Sequence, residues 1–548
     1  MTAEKSYLSA TQSSYVERYG DELPDWKEQG YLPEQTFPEQ AYSTFEQYPA
    51  KRVVGPNRTE TFDDVRREAE RLAAGLQSLG LEPGDVVSYA LPNWVTTTVV
   101  HLGISMAGAI ANPIVPIYRH REFEYILDDV ESDAIIVPDV HREFDFREML
   151  DDIAADVPVD DVVVVGTPLE GQIGYDALLA DDTDYTRPDL SPDDPHVVLY
   201  TSGTTSDPKG VVHTHNSVGA CEMPMRNRME YSSDETFFVP TPVTHISGVV
   251  RGLRLPFIVG ADLVLMDRWK PADAVDLVDS EGVTRMGAAT PFVQGLLEEA
   301  PADWDCPLEV VGCGGANVSP ELIRRAAETF DCWAYRGWGM TEYPGATKTS
   351  VGGDPEKAAD TDGRLLPGTR IEIVDLDSRE AVEQGDEGEI LVTGPHVMLG
   401  YIGEDLNDEA FTGKWFATGD VGYMDTDGYL EITGRAKDVI IRGGENIPVN
   451  DVEDKLKEHS AIDDVAIVAM PDPDLQEKGC AYVSLVEGET FSFEEMTAHL
   501  DEKNIARQKY PERLEIVEEF PRTASGKIQK SDLREAIADV LNMEPVSR

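Results

Sequence analysis

The sequence predicts an α/β protein: a large N-terminal α/β domain of several subdomains, a small β-rich subdomain within it, and a small mobile α+β C-terminal domain. Three observations predict this. Up to about residue 370, apolar runs of strand length alternate with helical patterns, the signature of α/β layers on a parallel sheet. After that, short strand-like runs sit among Gly-, Asp- and Pro-rich turns. Beyond Gly434 the pattern becomes a compact mixture of helices and strands. The chain has 548 residues, 41% of them apolar. That is enough for several packed cores and excludes a disordered class.

The elements follow in order. Thr61 opens a helix, with Asp64 at capping-box distance and Val65, Ala69, Leu72, Leu76 and Leu79 recurring at helical spacing. Gly80 ends it. Strands are expected at Val86–Leu91, Ala134–Val137, Asp161–Val165, Val197–Thr201, Leu263–Met266 and Leu308–Gly312. Val86 to Tyr118 carries no Asp, Glu, Lys or Arg. Pro92, Asn93, His101, Pro113 and Pro116 interrupt it, so it reads as strand, helix and strand and not as a membrane span. The β-rich part is expected at Arg370–Val374, Glu389–Thr393 and Tyr429–Ile432. The last part comprises helix Asn450–Lys457, strands Asp464–Ala469 and Ala481–Leu485, and helices Phe493–Lys503 and Lys530–Val540. We place the domain boundary between 434 and 435, giving domains 1–434 and 435–548.

Composition excludes several functions. Lys and Arg number 46 and Asp and Glu 104, a formal charge of −58. Nucleic-acid binding draws on Lys and Arg, and an anionic membrane surface repels this chain. The acidic excess is spread along the sequence, as at Asp151-Asp152 and Asp193-Asp194. It reads as a solvated acidic surface; the sharper expectation is a halophilic source. Cys221, Cys306, Cys313, Cys332 and Cys480 form no CxxC pair, so neither a zinc site nor a disulfide framework is expected. The start, MTAEKSYLSA, lacks a basic region followed by an apolar one. A cytoplasmic protein is expected, and a homo-oligomer is compatible with the sequence.

Four segments carry chemistry. The first is Tyr200-Thr-Ser-Gly-Thr-Thr-Ser-Asp-Pro-Lys-Gly210, after the apolar run Val197–Leu199. Thr201, Ser202, Thr204, Thr205 and Ser206 supply hydroxyls, Gly203 lets the backbone approach closely, and Lys209 adds positive charge. Such a loop can surround phosphate oxygens. It is not a Walker A loop, and alone it also fits a flexible polar turn. The second is Trp338-Gly-Met-Thr-Glu342, where Trp338 could stack on a purine and Glu342 could hold Mg²⁺. The third is Trp415-Phe-Ala-Thr-Gly-Asp420 with Gly434-Arg435-Ala-Lys-Asp438, which could contact a ribose diol; alone it also fits a surface salt bridge. The fourth is Pro521-Arg-Thr-Ala-Ser-Gly-Lys527, whose lysine could stabilise charge on a transferring phosphoryl group.

In this order and at this spacing, the four segments resemble the adenylate-forming superfamily of acyl-CoA synthetases, adenylation domains and luciferases. The resemblance runs from about Phe45 to Leu541. It implies that an acid is activated by ATP to an acyl-adenylate and passed to coenzyme A. ATP, Mg²⁺, coenzyme A and a carboxylic acid are thus the implied partners. By this resemblance Thr201, Ser202, Gly203, Thr204, Thr205 and Lys209 hold the triphosphate, and Thr204 and Glu342 lie near Mg²⁺. Trp338, Gly339 and Thr341 face the nucleotide, as does Gly314-Gly315-Ala316. Asp420 and Arg435 match the ribose contacts, and Lys527 the lysine of adenylation. Lys437 matches the hinge, and Gly443 and Gly444 line the thiol tunnel. Ser206 departs from the family pattern, which usually has glycine there.

The acyl pocket implied by the resemblance takes His245, Gly248, Thr290 and Gly339, with His245 at the gate toward the thiol. Alone, His245 fits a core histidine equally well. Gly339 stands where acetate-specific relatives carry a second Trp, so a larger monocarboxylate is expected: short- or medium-chain fatty, alicyclic or aromatic. No Arg or Lys lies within Gly287–Phe292 or Trp338–Glu342 to pair a second carboxylate, although Arg251 and Arg254 follow the gate segment. The run Ile440–Ile447 and the stretch Met470–Leu475 look most like fatty-acid and cyclohexanecarboxylate CoA ligases. Two rival readings are an adenylation enzyme that loads a carrier protein and a non-catalytic nucleotide-binding regulator.

Overall fold

The computed structural model describes residues 5–155, 157, 159–179, 185–201, 208–315, 318–442, 445–447, 449–473, 475–503, 505–523 and 527–546. The chain divides into two compact units. The first holds most of the chain up to Arg370 together with Thr393–Phe416; the second holds Ile371–Val392 and Ala417–Arg548.

Two large sheets dominate the first unit. One runs, strand by strand, Trp333–Arg336, Val310–Cys313, Arg285–Ala288, Thr236–Val239, Asp262–Leu265, Arg52–Val54 and Thr59–Thr61. The other runs Gly400–Tyr401, Lys209–Thr214, Pro195–Thr201, Ile110–Pro113, Val86–Tyr89, Ala134–Pro138, Asp161–Val165 and Ile173–Gly174. Their interiors are parallel, as the alternating pattern predicts, and antiparallel strands sit only toward an edge. The antiparallel strand Lys209–Thr214 was not separable from its loop by pattern, because its Val211-Val212 core is only two residues long.

The uncharged stretch resolves into strand Val86–Tyr89, helix Val95–Ala107 and strand Ile110–Pro113. Almost every side chain of that helix is buried, which explains why it carries no charge. It lies against helix Phe62–Ser78, whose Thr61 and Asp64 form the expected capping box. The two helices approach closely at Gly103, where a Cβ would stand 2.9 Å from Leu72 Cδ2. Leu72 is fully buried in this core, so truncating it to Ala would cost about 2–5 kcal/mol.

Ahead of these elements lie helices Ser6–Tyr19, Leu23–Glu28 and Phe37–Gln47, for which the sequence carries little periodic signal. A short π-helix, Val249–Arg254, continues helix Ile246–Gly248. Its i→i+5 bonding matches neither the 3.6-residue nor the 2-residue period, so apolar spacing cannot reveal it.

The second unit carries most of strands Gly388–Thr393 and Trp415–Met424 and all of Leu430–Arg435, the last two antiparallel, and the β-rich reading of this region holds. It also contains the α+β elements expected near the C-terminus. Strands Ile462–Asp472 and Gln476–Leu485 form a long antiparallel ladder, with helices Asn450–Lys457, Phe493–Glu502 and Lys530–Leu541 around it. Asp438, just past the expected hinge, accepts a 2.8 Å ion pair from Arg534 of the last helix.

Candidate active site

Thr201 ends the strand Pro195–Thr201, and Lys209 begins its antiparallel partner. The two residues are paired in register, so the sheet brings both ends of the intervening polar loop together. Ser202, Gly203, Thr204 and Thr205 lie outside the described residues. Lys209 Nζ stands 5.2 Å from the ring centre of Tyr401, within cation–π range. The Tyr401 hydroxyl donates to Glu342 Oε1 at 2.7 Å. Lys209, Tyr401 and Glu342 therefore form one connected group, although they are far apart in sequence.

The backbone around Glu342 is pinned on both sides. The amide of Met398 donates to the Glu342 carbonyl at 2.9 Å. His213 Nε2 lies 2.7 Å from the Thr341 carbonyl oxygen, which can only accept, so Nε2 carries the proton. His213 Nδ1, 2.9 Å from Ser217 Oγ, is then the acceptor of that pair. Burial keeps this imidazole neutral, with its pKa pushed down to about 4. Nothing in motif spacing singles out Tyr401 or His213. Tyr401 lies on the short edge strand Gly400–Tyr401 and His213 on its neighbour, Lys209–Thr214.

Trp338 is buried, and its backbone pairs with Thr347 in both directions, amide to Thr347 Oγ1 and carbonyl to Thr347 amide. Thr341 is buried as well. Gly339 is fixed by packing: a Cβ there would fall 2.5 Å from the Gly345 amide nitrogen. Gly314 passes equally close to its neighbour strand, a Cβ meeting the Gly337 carbonyl oxygen at 2.7 Å. Gly315 follows at φ +86°, a left-handed conformation that favours glycine. Ala316 lies outside the described residues.

His245 caps the short helix Ile246–Gly248, with its Nδ1 3.0 Å from Ser247 Oγ. It is half-buried and not sealed within the core. Gly248 packs onto the preceding turn, where a Cβ would meet the Pro242 carbonyl oxygen at 2.2 Å. Thr290 opens helix Thr290–Glu299 and faces Cys313 Sγ at 3.8 Å.

In the second unit, Asp420 and Arg435 are paired in register on adjacent strands and joined by a 2.6 Å ion pair. Asp420 is buried and its amide is fixed by Thr418 Oγ1. Lys437 sits in a single 3-10 turn; burial, reinforced by neighbouring Arg435, lowers its pKa to about 8. Lys527 is exposed and closes a turn with Thr523 through two hydrogen bonds. Gly443 and Gly444 lie outside the described residues.

No cluster of three or more His, Cys, Asp or Glu side chains suited to a metal exists among the described residues. Glu342 thus offers a single carboxylate. That fits Mg²⁺, which usually binds through one or two carboxylates plus substrate phosphates and water. No described helix is long and apolar enough to cross a membrane.

Residues 39–402 match the AMP-binding enzyme family, and residues 451–527 match the AMP-binding enzyme C-terminal domain. The medium-chain fatty-acid–CoA ligase of Escherichia coli (strain K12) is 33% identical over 524 residues, covering 93% of this chain and 92% of that protein. The mitochondrial medium-chain acyl-CoA ligase ACSF2 of Bos taurus is 30% identical, covering 88% of this chain and 84% of that protein. Among solved structures, the anthranilate CoA ligase AuaEII in complex with anthranoyl-AMP is 25% identical. It superposes with a TM-score of 0.84, covering 93% of this chain and 98% of that one. ATP-bound MatB from Rhodopseudomonas palustris, 24% identical, shares the fold with a TM-score of 0.84 over 92% of this chain and all of that one. Four ordered motifs, the fold and near full-length similarity agree: the chain belongs to the AMP-binding enzyme family, within the adenylate-forming superfamily its motifs resemble.

Proposed function

We propose that the chain is an AMP-forming acid–CoA ligase acting on a monocarboxylic acid larger than acetate, either short- to medium-chain fatty, alicyclic or aromatic. The observation that carries this reading is the Lys209–Tyr401–Glu342 group, assembled where the sheet closes the ends of the polar loop. A carboxylate there has its orientation set before substrate arrives, which is what electrostatic catalysis requires. Similarity to a medium-chain fatty-acid–CoA ligase and to an anthranilate CoA ligase supports both the aliphatic and the aromatic substrate classes.

The reaction has two balanced steps. A carboxylate oxygen of the acid attacks the α-phosphorus of ATP, and the bond to the bridging oxygen breaks, releasing diphosphate. The thiolate sulfur of CoA then attacks the acyl carbonyl, and AMP leaves. In this reading Thr201, Ser202, Gly203, Thr204, Thr205 and Lys209 hold the phosphates. Glu342 and Thr204 would hold Mg²⁺, whose contribution is to neutralise phosphate charge. Trp338, Gly339, Thr341 and Gly314–Ala316 take the nucleotide, and Asp420 with Arg435 takes the ribose. Lys527 supplies charge to the adenylation step. His245 gates the pocket formed with Gly248, Thr290 and Gly339, and Gly443 and Gly444 admit the pantetheine arm. Residues 435–548 act as a lid that turns about Lys437 between the two steps. We also assign the protein to the cytoplasm of a halophilic source, on its charge of −58.

A panel of carboxylic acids, scored by AMP release with and without CoA, tests the assignment. AMP release dependent on both acid and CoA is expected, lost on chelation with EDTA and restored by Mg²⁺. Release that ignores CoA would move the chain to a carrier-loading or hydrolytic role.

A further inference from the structure

The seven-stranded sheet of the first unit has a strip where glycines replace side chains, a furrow occupied by groups from neighbouring segments. Gly287, Gly312 and Tyr335 stand side by side across three neighbouring parallel strands. Cationic and phenolic groups fill the space left by glycine. A Cβ on Gly287 would fall 2.1 Å from Arg251 Nη1, and one on Gly312 would fall 2.6 Å from the Tyr335 hydroxyl. Lys348 Nζ would lie 3.8 Å from a Cβ on Gly337, and stands 5.4 Å from the Tyr335 ring centre. Lys348, Arg251 and Tyr231 all act electrostatically on the Tyr335 phenol.

Two cations thus meet in one place, and Lys348 and Tyr335 are only 3% and 2% exposed. Neither Arg251 nor Lys348 has a carboxylate ion-pair partner among the described residues. The buried acids of this part of the fold are already matched, Glu222 by Arg254 and Glu235 by Arg285. Burial lowers the pKa of Lys348, Tyr335 opposes the shift, and Arg251 adds to it. Holding the Lys348 ammonium buried without a carboxylate partner is destabilising, and a packed hydrophobic core would avoid it. The arrangement is therefore better explained by something it receives than by stability.

The furrow adjoins the segments 287–292 and 337–340 that the ligase reading gives to the acyl pocket. Resting on that reading, we infer that Arg251, Lys348 and Tyr335 form the tail end of the acyl pocket and select acids whose tail carries an oxygen acceptor over plain hydrocarbon acids. A hydroxyl or keto oxygen and a second carboxylate share this chemistry. Buried polar groups discriminate strongly against an analogue that leaves them unpaired.

Matched acids test it: hexanoate, its ω-hydroxy derivative and adipate, and benzoate with its para-hydroxy derivative. Two readouts are taken on the full chain, kcat/KM for AMP release with CoA and binding of each acid by calorimetry. The wild-type protein is expected to favour an oxygenated member of each set by about tenfold or more, and Arg251→Met and Lys348→Met to bring that ratio toward unity. A preference for adipate identifies a second carboxylate as the partner; a preference for the hydroxy acids identifies a neutral acceptor. Should Lys348→Met fail to fold, Arg251→Met, at a half-buried position, decides alone. Equal or better use of the plain acids by the wild type, or an unchanged ratio in folded Arg251→Met, overturns the inference. If no acid releases AMP, the ligase reading fails, and the binding preference still decides whether the furrow recognises oxygen.

Discussion

Arg251 and Arg254 share one π-helical turn, and they do different work. Arg254 is fully buried; it donates to both oxygens of Glu222 at 2.7 and 2.9 Å and to His196 Nε2 at 2.7 Å. His196 stacks on His215 at 4.2 Å, and His215 Nδ1 accepts the Phe37 amide at 3.1 Å. Arg254 is thus the centre of a polar network that ties the N-terminal helix Phe37–Gln47 to the sheets. Arg251 is half-buried, reaches the glycine furrow, and has no carboxylate partner among the described residues. Satisfied buried charge is a fixed part of the fold, and removing one partner leaves the other stranded. Charge with no carboxylate partner is what the inferred tail end of the acyl pocket would offer a ligand.

The contrast can be broken experimentally, and the largest effect should come from the satisfied pair. Glu222→Ala strands the Arg254 guanidinium and should cost about 3–5 kcal/mol, read as a lower urea midpoint. A loss below about 1 kcal/mol would mean that water or His196 compensates, and the distinction from Arg251 would weaken. Next is Gly339→Ala. Its Cβ would press on the Gly345 backbone, so about 1–3 kcal/mol of strain is expected, with the Trp338–Glu342 turn displaced and AMP release reduced. Retained activity in Gly339→Ala would show that this turn yields easily.

Acid should act on the buried network and spare the furrow's arginine. His101 and His213 have folded pKa values pushed down by burial, to about 3 and about 4. Both are neutral in the fold, whereas an unfolded histidine protonates near 6.5. The stability they contribute is therefore complete above about pH 6.5 and falls as pH drops toward those folded values. Each such histidine should contribute a slope of about 1.4 kcal/mol per pH unit within that window. Urea midpoints at pH 7.5, 6 and 5 check this, and a flat profile would contradict it. Arg251→Met should change stability by no more than about 0.5–1 kcal/mol, since no ion pair is lost. The smallest effect is expected from salt: about 1 M KCl shortens the screening length to about 3 Å and should raise the melting temperature of this acidic chain. An unchanged melting temperature would remove the argument for a halophilic source.

Much of this was legible in the sequence. The Thr61 capping box, the uncharged strand–helix–strand from Val86, and the ladder near residues 462–485 follow from local patterns that packing reinforces. The four motifs were legible because each is built from short contiguous runs. What stayed hidden depends on residues distant in the chain. Tyr401 meets Glu342 across 59 positions, and His213 reaches Thr341 across 128. Gly287 and Gly312 look like ordinary strand glycines until Arg251 and Tyr335 are seen lying over them. Arg251 and Arg254 look equivalent in sequence, and only Glu222, 32 residues before Arg254, separates them.

In the proposed reaction the chain adenylates an acid, and Lys527 serves that step. Acid-dependent exchange of radiolabelled diphosphate into ATP, compared between the wild type and Lys527→Ala, tests it most directly. A loss of about a hundredfold or more in exchange is expected, while thiolation of a supplied acyl-adenylate by CoA continues. Unchanged exchange in Lys527→Ala, or no acid-dependent exchange in the wild type, would contradict it.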